Sequence, residues 1–307
     1  MNTTTFRRIL FFFAFSTPFL LVSNLPEALT YPLSGGGAQT SDKQARADEI
    51  IAKVRKATYG EIDVASVKRL SIGSKTRHQR ANDVQDTGES VLDLEMPDKM
   101  LVRSTRDLTD LGQVNTCKVL NGDQSWSDLK TSSSKIPVIR TGGKSSNDDR
   151  AKHLQAMRRE QAIALMRLAL PPARSFPLTY AFAGEAKATD GEAYVIDVTG
   201  PDAFSARLFV DKTKFRIIMA ALPDSGGVVR VTPGGGRERL PRAGAKITLR
   251  FYDFKPESGV TLPHRIKYEQ ADRIVTEYEL KNFQLNPEFP PDHFDVHKWS
   301  GAKTGKR

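Results

Sequence analysis

The chain has 307 residues, a single cysteine and a formal net charge of +10 at neutral pH. One cysteine cannot form an intramolecular disulfide, which excludes a small disulfide-stapled scaffold. The basic residues are scattered without interleaved aromatic residues, which argues against a base-stacking nucleic-acid surface. Anionic lipid headgroups, an acidic protein surface, or a basic surface that is simply solvated remain as explanations of the charge.

The first feature in chain order is a leader. Arg7 and Arg8 precede an apolar run over residues 9–22 that contains Pro18. This run is shorter than the roughly 20 apolar residues of a membrane-spanning helix, and it is typical of a secretory signal sequence. We therefore predict a signal peptide over residues 1–28, with an undefined cleavage site, and an exported, periplasmic protein. An uncleaved amphipathic anchor is the alternative.

Two helices are predicted after the leader. The first spans about residues 42–56, where apolar residues recur at helical spacing. The second spans about residues 149–170 and is stopped by Pro171 and Pro172. With no proline- or glycine-rich linker dividing the chain, we predict a flexible lead over 29–41, a single domain over 42–298 and a basic tail over 299–307.

Most of the remaining chain alternates apolar and polar residues with period two, which predicts strands with one apolar face. Such strands joined by short turns imply a strongly curved antiparallel sheet in an α+β fold. Its apolar face is larger than two helices can easily fill, which predicts a cavity. The strands are expected around 92–96, 99–103, 208–210, 215–219, 247–252, 266–270 and 274–280, with loops at 131–148 and 223–244.

Motifs for catalysis or phosphate binding are weak in this sequence. The triple glycine at 234–236 lacks the Lys-Ser/Thr pair of a phosphate loop and predicts a hairpin loop. His293, Asp295 and His297 alternate and could in principle present three zinc ligands, but no cysteine or carboxylate cluster supports them. Cys117 lacks an identifiable orienting histidine, so a buried strand residue is favoured over a nucleophile. We therefore predict a protein that is not an enzyme and needs no cofactor.

Several short motifs, taken in order, resemble the outer-membrane lipoprotein-sorting (LolA-like) family. The resemblance covers nearly all of the chain after the leader and implies an unclosed antiparallel β-barrel whose concave side is covered by two helices. It is carried by ADEII at 47–51, a strand at 64–73, PDKMLVR at 97–103, NGDQSW at 121–126, LFVDKT at 208–213, GVTLP at 259–263 and NPE at 286–288 followed by Phe294. The two loops at 131–148 and 223–244 depart from the short carriers of the family.

The resemblance implies a non-enzymatic carrier that binds acyl chains of lipoproteins or related lipids for transfer towards the outer membrane. Its partners would be the lipid cargo and, transiently, a membrane-bound donor and acceptor, with the protein acting as a monomer. A lipid-sensing regulatory module that docks a protein partner is the alternative. From the alternation, the expected ligand-binding residues on the concave face are Leu92, Leu94, Met100, Val102, Leu208, Val210, Ile217, Met219, Leu249, Phe251, Tyr278 and Leu280.

Overall fold

The computed structural model describes residues 37–79, 84–108, 112–132, 147–188, 191–223, 227–231, 237–241, 246–270 and 273–300. The predicted leader, most of the lead before residue 42 and most of the predicted tail lie outside these ranges. The helices are α1 (Gly37–Tyr59), α2 (Asn147–Arg167) and α3 (Val296–Ser300). The strands are β1 (Arg69–Gln79), β2 (Gln85–Glu95), β3 (Lys99–Leu108), β4 (Gly112–Asn121), β5 (Gln124–Thr131), β6 (Thr179–Ala188), β7 (Gly191–Gly200), β8 (Phe204–Asp211), β9 (Ile217–Pro223), β10 (Gly227–Val231), β11 (Arg237–Pro241), β12 (Lys246–Glu257), β13 (Val260–Gln270) and β14 (Arg273–Leu285).

Both long helices form where the sequence predicts them. Helix α2 ends at Arg167, three residues before its predicted end. The reason is local: Ala169 adopts a left-handed conformation with φ of 53°, and the Leu170 amide bonds back to the Leu165 carbonyl at 3.0 Å. This bond satisfies a carbonyl in the last turn and stops the helix before the prolines.

The strands build one antiparallel sheet of twelve strands in the order β5-β4-β3-β2-β1-β14-β13-β12-β9-β8-β7-β6. Strand β1 pairs with β14, so the first and last parts of the domain meet in the middle of the sheet. Strands β5 and β6 are the two edges and do not pair with each other among the described residues. The predicted unclosed antiparallel sheet is therefore confirmed.

Helix α2 shows that this sheet is strongly curved. Its Leu165 packs in one cluster with Leu70 of β1, whereas its Met166 packs in another with Ile196 of β7. In a flat sheet β1 and β7 would lie six strand spacings apart, roughly 29 Å at about 4.8 Å per strand. A helix is only about 10–12 Å wide. The sheet must curl around α2 to contact it from both sides, and we call the face that packs on α1 and α2 the inner face.

Helix α1 fills one half of the inner face. Its buried residues recur at the predicted helical spacing and join the apolar residues of β6 to β9 and β12 in one core cluster. This arrangement places a packed core along that half of the sheet. The α1 residues are Ala47, Ile50, Ile51 and Val54, each at most 5% exposed.

The registers agree with most predicted hairpins, with one correction. Strands β2 and β3 pair with Leu92 opposite Val102, as expected. Between β8 and β9 the register shifts at Phe209/Val210, so that Met219 lies opposite Phe209. Met219 is also opposite the exposed Arg250 of β12. The prediction that Met219 faces the concave side is therefore wrong, because the bulge reverses the alternation after Ile217.

The predicted loop over 223–244 contains a separate two-stranded sheet. Strands β10 and β11 pair antiparallel, with Val229 opposite Arg239. The glycines at 234–236 lie outside the described residues. Valine-rich GVVRV favours extended backbone, which the loop prediction overlooked.

Candidate ligand-binding cavity

The half of the inner face that α1 leaves uncovered borders a cavity of about 490 Å³. Strands β1 to β4 and β12 to β14 form its walls, and one side of α2 forms its cover. Its volume lies within the range of about 300–1,000 Å³ that is common for small-molecule sites. The cavity arises because α1 fills the opposite half of the sheet, whereas α2 spans the gap between the two halves.

One wall of the cavity is apolar. Ile72, Leu92 and Val102 lie opposite one another across β1, β2 and β3 and line the cavity together with Leu280. These side chains are partly exposed, unlike those of the neighbouring core. When a ligand covers apolar surface that borders an accessible cavity, the removal of that surface from water contributes favourably to the free energy of binding.

A row of hydroxyl groups follows the apolar row. Ser74, Ser90, Ser104 and Thr116 are register partners across β1, β2, β3 and β4, and all four line the cavity. The Ser74 and Ser90 hydroxyl oxygens lie 3.2 Å apart. Each hydroxyl is both a donor and an acceptor, so this row can form hydrogen bonds with a ligand headgroup of positive or negative charge.

Beyond the hydroxyl row the lining becomes polar and basic. His78 lies opposite Asp86 on β2, and its Nδ1 is 2.8 Å from the Thr276 hydroxyl. Burial, with a smaller contribution from Arg106, lowers the pKa of His78 to about 4 against the opposing effect of Asp86. The imidazole is consequently neutral at neutral pH, and Arg106 supplies the positive charge at this part of the wall.

One side of helix α2 faces the cavity. Its residues Ile163, Ala164 and Arg167 lie three, four and seven positions after Glu160, which also lines the cavity. The Lys118 ammonium of β4 donates to both carboxylate oxygens of Glu160, at 2.8 and 3.0 Å. Ile163 and Ala164 contribute apolar surface, and Arg167 follows them. The helix therefore places an ion pair and a second cation against the ligand space.

Arg167 is a partly buried cation of the site. Burial is the main cause of its lowered pKa, and Tyr278 and Glu160 oppose that shift. Its Nε is inaccessible and has no hydrogen-bond partner among the described residues. The neighbouring Tyr278 phenol also lines the cavity, and burial raises its pKa. An arginine remains charged under these conditions, because its guanidinium is not deprotonated in proteins.

Polar side chains fix α2 over the cavity. The buried Gln161 amide donates to the carbonyl oxygens of Pro97 and Lys99, at 3.3 and 3.2 Å, at the β2–β3 turn. The Tyr59 phenol of α1 donates to the Leu168 carbonyl at 2.7 Å. Each bond joins α2 to a different part of the domain, so the cover is positioned by the whole fold.

Half of the twelve sequence-predicted ligand-binding residues line this cavity. They come from both sides of the open half of the sheet, and their role in binding remains a proposal. These six are Leu92, Met100, Val102, Phe251, Tyr278 and Leu280.

Of the other six, Met219 faces away from the inner face and five are packed in the core. Leu94 belongs to the cluster under α2, and the remaining four belong to the cluster under α1. The alternation assigned them to the correct face but could not show that a helix fills it there. These four residues are Leu208, Val210, Ile217 and Leu249.

Sequence reasoning missed the polar lining. The signal was present, because the parity that places Leu92 on the inner face also places Ser90 there, and that of Val102 also places Ser104 there. The prediction missed these hydroxyl groups because it considered only the apolar positions of each strand. Strand alternation could not predict the position of Arg167, because this residue lies on α2 and its place in the cavity depends on how α2 packs on the sheet.

The alternating His293, Asp295 and His297 do not converge. His293 Nε2 lies 2.9 Å from Asp93 Oδ2, whereas Asp295 accepts a bond from the His297 backbone amide. The described part of the chain holds no group of three or more His, Cys, Asp or Glu residues that could bind a metal ion. Cys117 is partly buried, and burial raises the pKa of its thiol to about 11, which disfavours the nucleophilic thiolate.

Among the helices of the described residues, none is both long and apolar enough to cross a membrane. The signal peptide predicted over residues 1–28 falls outside the described part of the chain, so it stays a prediction.

Comparisons with known proteins find similar solved structures. No protein-family model matches the chain, and no curated protein matches it. A LolA superfamily protein from Nitrosomonas europaea is 15% identical, with 81% of this chain and 96% of that chain covered and a TM-score of 0.46. An outer membrane lipoprotein-sorting protein domain from Vibrio parahaemolyticus is 12% identical, with 82% and 97% covered and a TM-score of 0.46. A DUF1329 family protein from Desulfovibrio piger is 11% identical, with 83% and 98% covered and a TM-score of 0.47.

The resemblance to lipoprotein-sorting proteins that the sequence motifs carry is thus met again among the solved structures. Identities this low and TM-scores below 0.5 carry no inference about function. What the protein does has to be argued from its own cavity.

Proposed function

We propose that this protein is a non-enzymatic periplasmic carrier that binds the acyl chain of a lipoprotein or related lipid and transfers it towards the outer membrane. The observation that carries the proposal is the cavity of about 490 Å³ between α2 and the uncovered half of the sheet. One wall of this cavity consists of partly exposed apolar side chains. An unbranched acyl chain matches such a wall because it needs apolar contact without directional bonds.

The energetics suit reversible binding. Each methylene buried from water contributes roughly 0.8 kcal/mol, so burial in the cavity offsets the similar free energy per methylene that an acyl chain loses when it leaves a membrane. Part of the gain is lost if α2 shifts to admit the chain, because its bonds from Gln161 and Tyr59 are then broken. A carrier requires this balance, since a cavity that binds too tightly cannot release its cargo.

Binding of a fluorescent fatty acid to the purified, delipidated protein tests the proposal. We expect saturable binding by the wild-type protein and at least about a tenfold loss in Leu280→Asp, because a carboxylate in the apolar wall must be desolvated. Ile274→Asp is the matched control: it lies on the same strand, is 41% exposed and does not line the cavity. Melting temperatures of both variants show whether the fold is kept.

Absence of lipid uptake by the wild-type protein would contradict the proposal. A second measurement separates carrier from sensor: lipid-loaded protein is mixed with acceptor vesicles. A carrier is expected to release its lipid to the vesicles, whereas a regulatory module is expected to retain it. A pull-down from a periplasmic extract with the regulatory module is expected to recover a stable protein partner.

A further inference from the structure

Arg167 offers to the cavity a cation that forms no ion pair with the described residues. It stands in the last turn of α2, lines the cavity and has a buried Nε without a hydrogen-bond partner. Burial is the main cause of its lowered pKa, and a partly desolvated charge is stabilised by a close counter-charge or by several hydrogen bonds.

The acidic side chain that acts on Arg167, Glu160, is already engaged. Glu160 accepts both hydrogen bonds from the Lys118 ammonium. Asp86 is not part of the lining; it lies on β2 opposite His78 and acts on that imidazole. The only opposing group beside Arg167 on β14 is the Tyr278 phenol, which is neutral at neutral pH. No acidic side chain forms an ion pair with Arg167 among the residues that the structure describes.

The remaining polar lining is suited to an anion. The hydroxyls of Ser74, Ser90, Ser104 and Thr116 can all rotate to donate hydrogen bonds. Arg106 adds a second positive charge to the wall. A guanidinium binds a carboxylate or a phosphate through two parallel hydrogen bonds, a geometry that a neutral headgroup cannot match.

We propose that the cavity selects anionic amphiphiles: Arg167 binds a carboxylate or phosphate headgroup, the hydroxyl row completes its hydrogen bonds, and the acyl chain covers the apolar wall at Ile72, Leu92 and Val102. This inference rests on the proposed function and names its ligand class. It explains why a cation is kept in a cavity whose other wall is apolar.

Competition binding tests the inference with four probes: palmitate, lysophosphatidic acid, hexadecanol and inorganic phosphate. The wild-type protein is expected to bind both acyl anions at least about tenfold more tightly than hexadecanol, as charge-assisted hydrogen bonds in a buried site require. In Arg167→Gln this preference is expected to disappear, with hexadecanol affinity changed less than about twofold. Inorganic phosphate is expected to compete weakly, because it lacks the chain.

Lys152→Gln is the matched control, since it removes a cation from an exposed position of the same helix. It should leave all four affinities unchanged. Arg167→Lys keeps the charge without the two parallel donors, and its anion preference is expected to be intermediate. Melting temperatures measured without lipid establish that each variant is folded.

The outcomes separate the two proposals. If no lipid binds, the carrier function fails. If palmitate and hexadecanol bind the wild-type protein equally, or if Arg167→Gln weakens both to the same extent, lipid binding stands but anion selection is overturned. If inorganic phosphate competes as strongly as lysophosphatidic acid, the site recognises a free anion and the amphiphile inference is wrong.

Discussion

At the scale of single residues, contacts in the fold set the properties of the polar lining. Burial keeps His78 neutral, and its Nδ1 is bound to the Thr276 hydroxyl. Glu160 is fixed by Lys118. Arg167 is as basic as the many arginine residues on the surface, but it differs from them in position because α2 places it against the cavity. Residue type alone distinguishes none of these roles.

The lowered pKa of His78 predicts acid sensitivity. The unfolded imidazole titrates near 6.5 and the folded one at about 4. Because the unfolded state binds the proton at higher pH, this contribution to stability is complete above about pH 6.5 and is lost as the pH falls towards about 4. The loss is at most about 3 kcal/mol, and less because the ring is partly exposed.

Urea unfolding of the wild-type protein and His78→Gln at about pH 7 and about pH 4.5 measures this loss. The glutamine variant should lose less free energy of unfolding over the interval than the wild-type protein. Equal losses would show that Asp86, Arg106 or other titrating groups, and not His78, govern the acid response.

At the scale of elements, α2 is the part that joins the two halves of the inner face. Its apolar residues belong to both core clusters. Its C-terminal end is tied to α1 through backbone carbonyls, with Arg55 Nε donating to the Ala169 carbonyl at 3.0 Å and the Tyr59 phenol donating to that of Leu168. These bonds hold the end of α2 that borders the cavity at Arg167 and Leu168.

Replacing Tyr59 by phenylalanine tests the hydrogen bond between the Tyr59 phenol and the Leu168 carbonyl. Tyr59 is 1% and Leu168 is 9% exposed, so the Leu168 carbonyl would lose its partner in a largely buried environment. We expect a loss of about 1–3 kcal/mol in the free energy of unfolding, measured by urea denaturation. Tyr252→Phe is the control, because this partly exposed ring contacts the cations of Arg265 and Lys267, which phenylalanine retains. An equal effect in both variants would mean that the buried bond contributes nothing specific.

At the scale of the whole molecule, the two faces of the sheet have different occupants. The inner face holds the helices and the cavity, whereas the segment that leads into α3 packs on the outer face of β3 and β4 through Phe294. Asp93, with its side chain 2% exposed, accepts hydrogen bonds from Ser71 at 2.6 Å and from His293 at 2.9 Å. This carboxylate joins the C-terminal segment to the middle of the sheet.

His293→Ala separates the two faces experimentally. It removes the shorter of two contacts to Oδ2 of the buried Asp93, which then keeps only the Arg103 guanidinium at 3.4 Å, and we expect a loss of about 1–3 kcal/mol in the free energy of unfolding. Lipid affinity should not change, because His293 lies on the outer face. His297→Ala, at an exposed position of the same segment, should change neither quantity. A loss of lipid binding in His293→Ala would show that the faces are coupled.

The sequence by itself determined the local architecture. The alternation around Leu92 and Val102 specified an antiparallel hairpin with a defined inner face, because side chains on a strand must point to alternate faces. The helical spacing from Ala47 to Val54 specified the buried side of α1 for the same kind of reason. These are local rules, and the short turns between the strands let neighbouring elements pair in the order of the chain.

Only the tertiary structure decided where the inner face stays open. Leu208 and Leu92 carry the same strand signal, yet α1 covers the first and leaves the second beside the cavity. The bulge at Phe209/Val210 moved Met219 to the outer face, and the docking of α2 brought Arg167 against β14. Each result depends on contacts between segments far apart in the chain, whereas periodicity reports only which side of its own element a residue occupies.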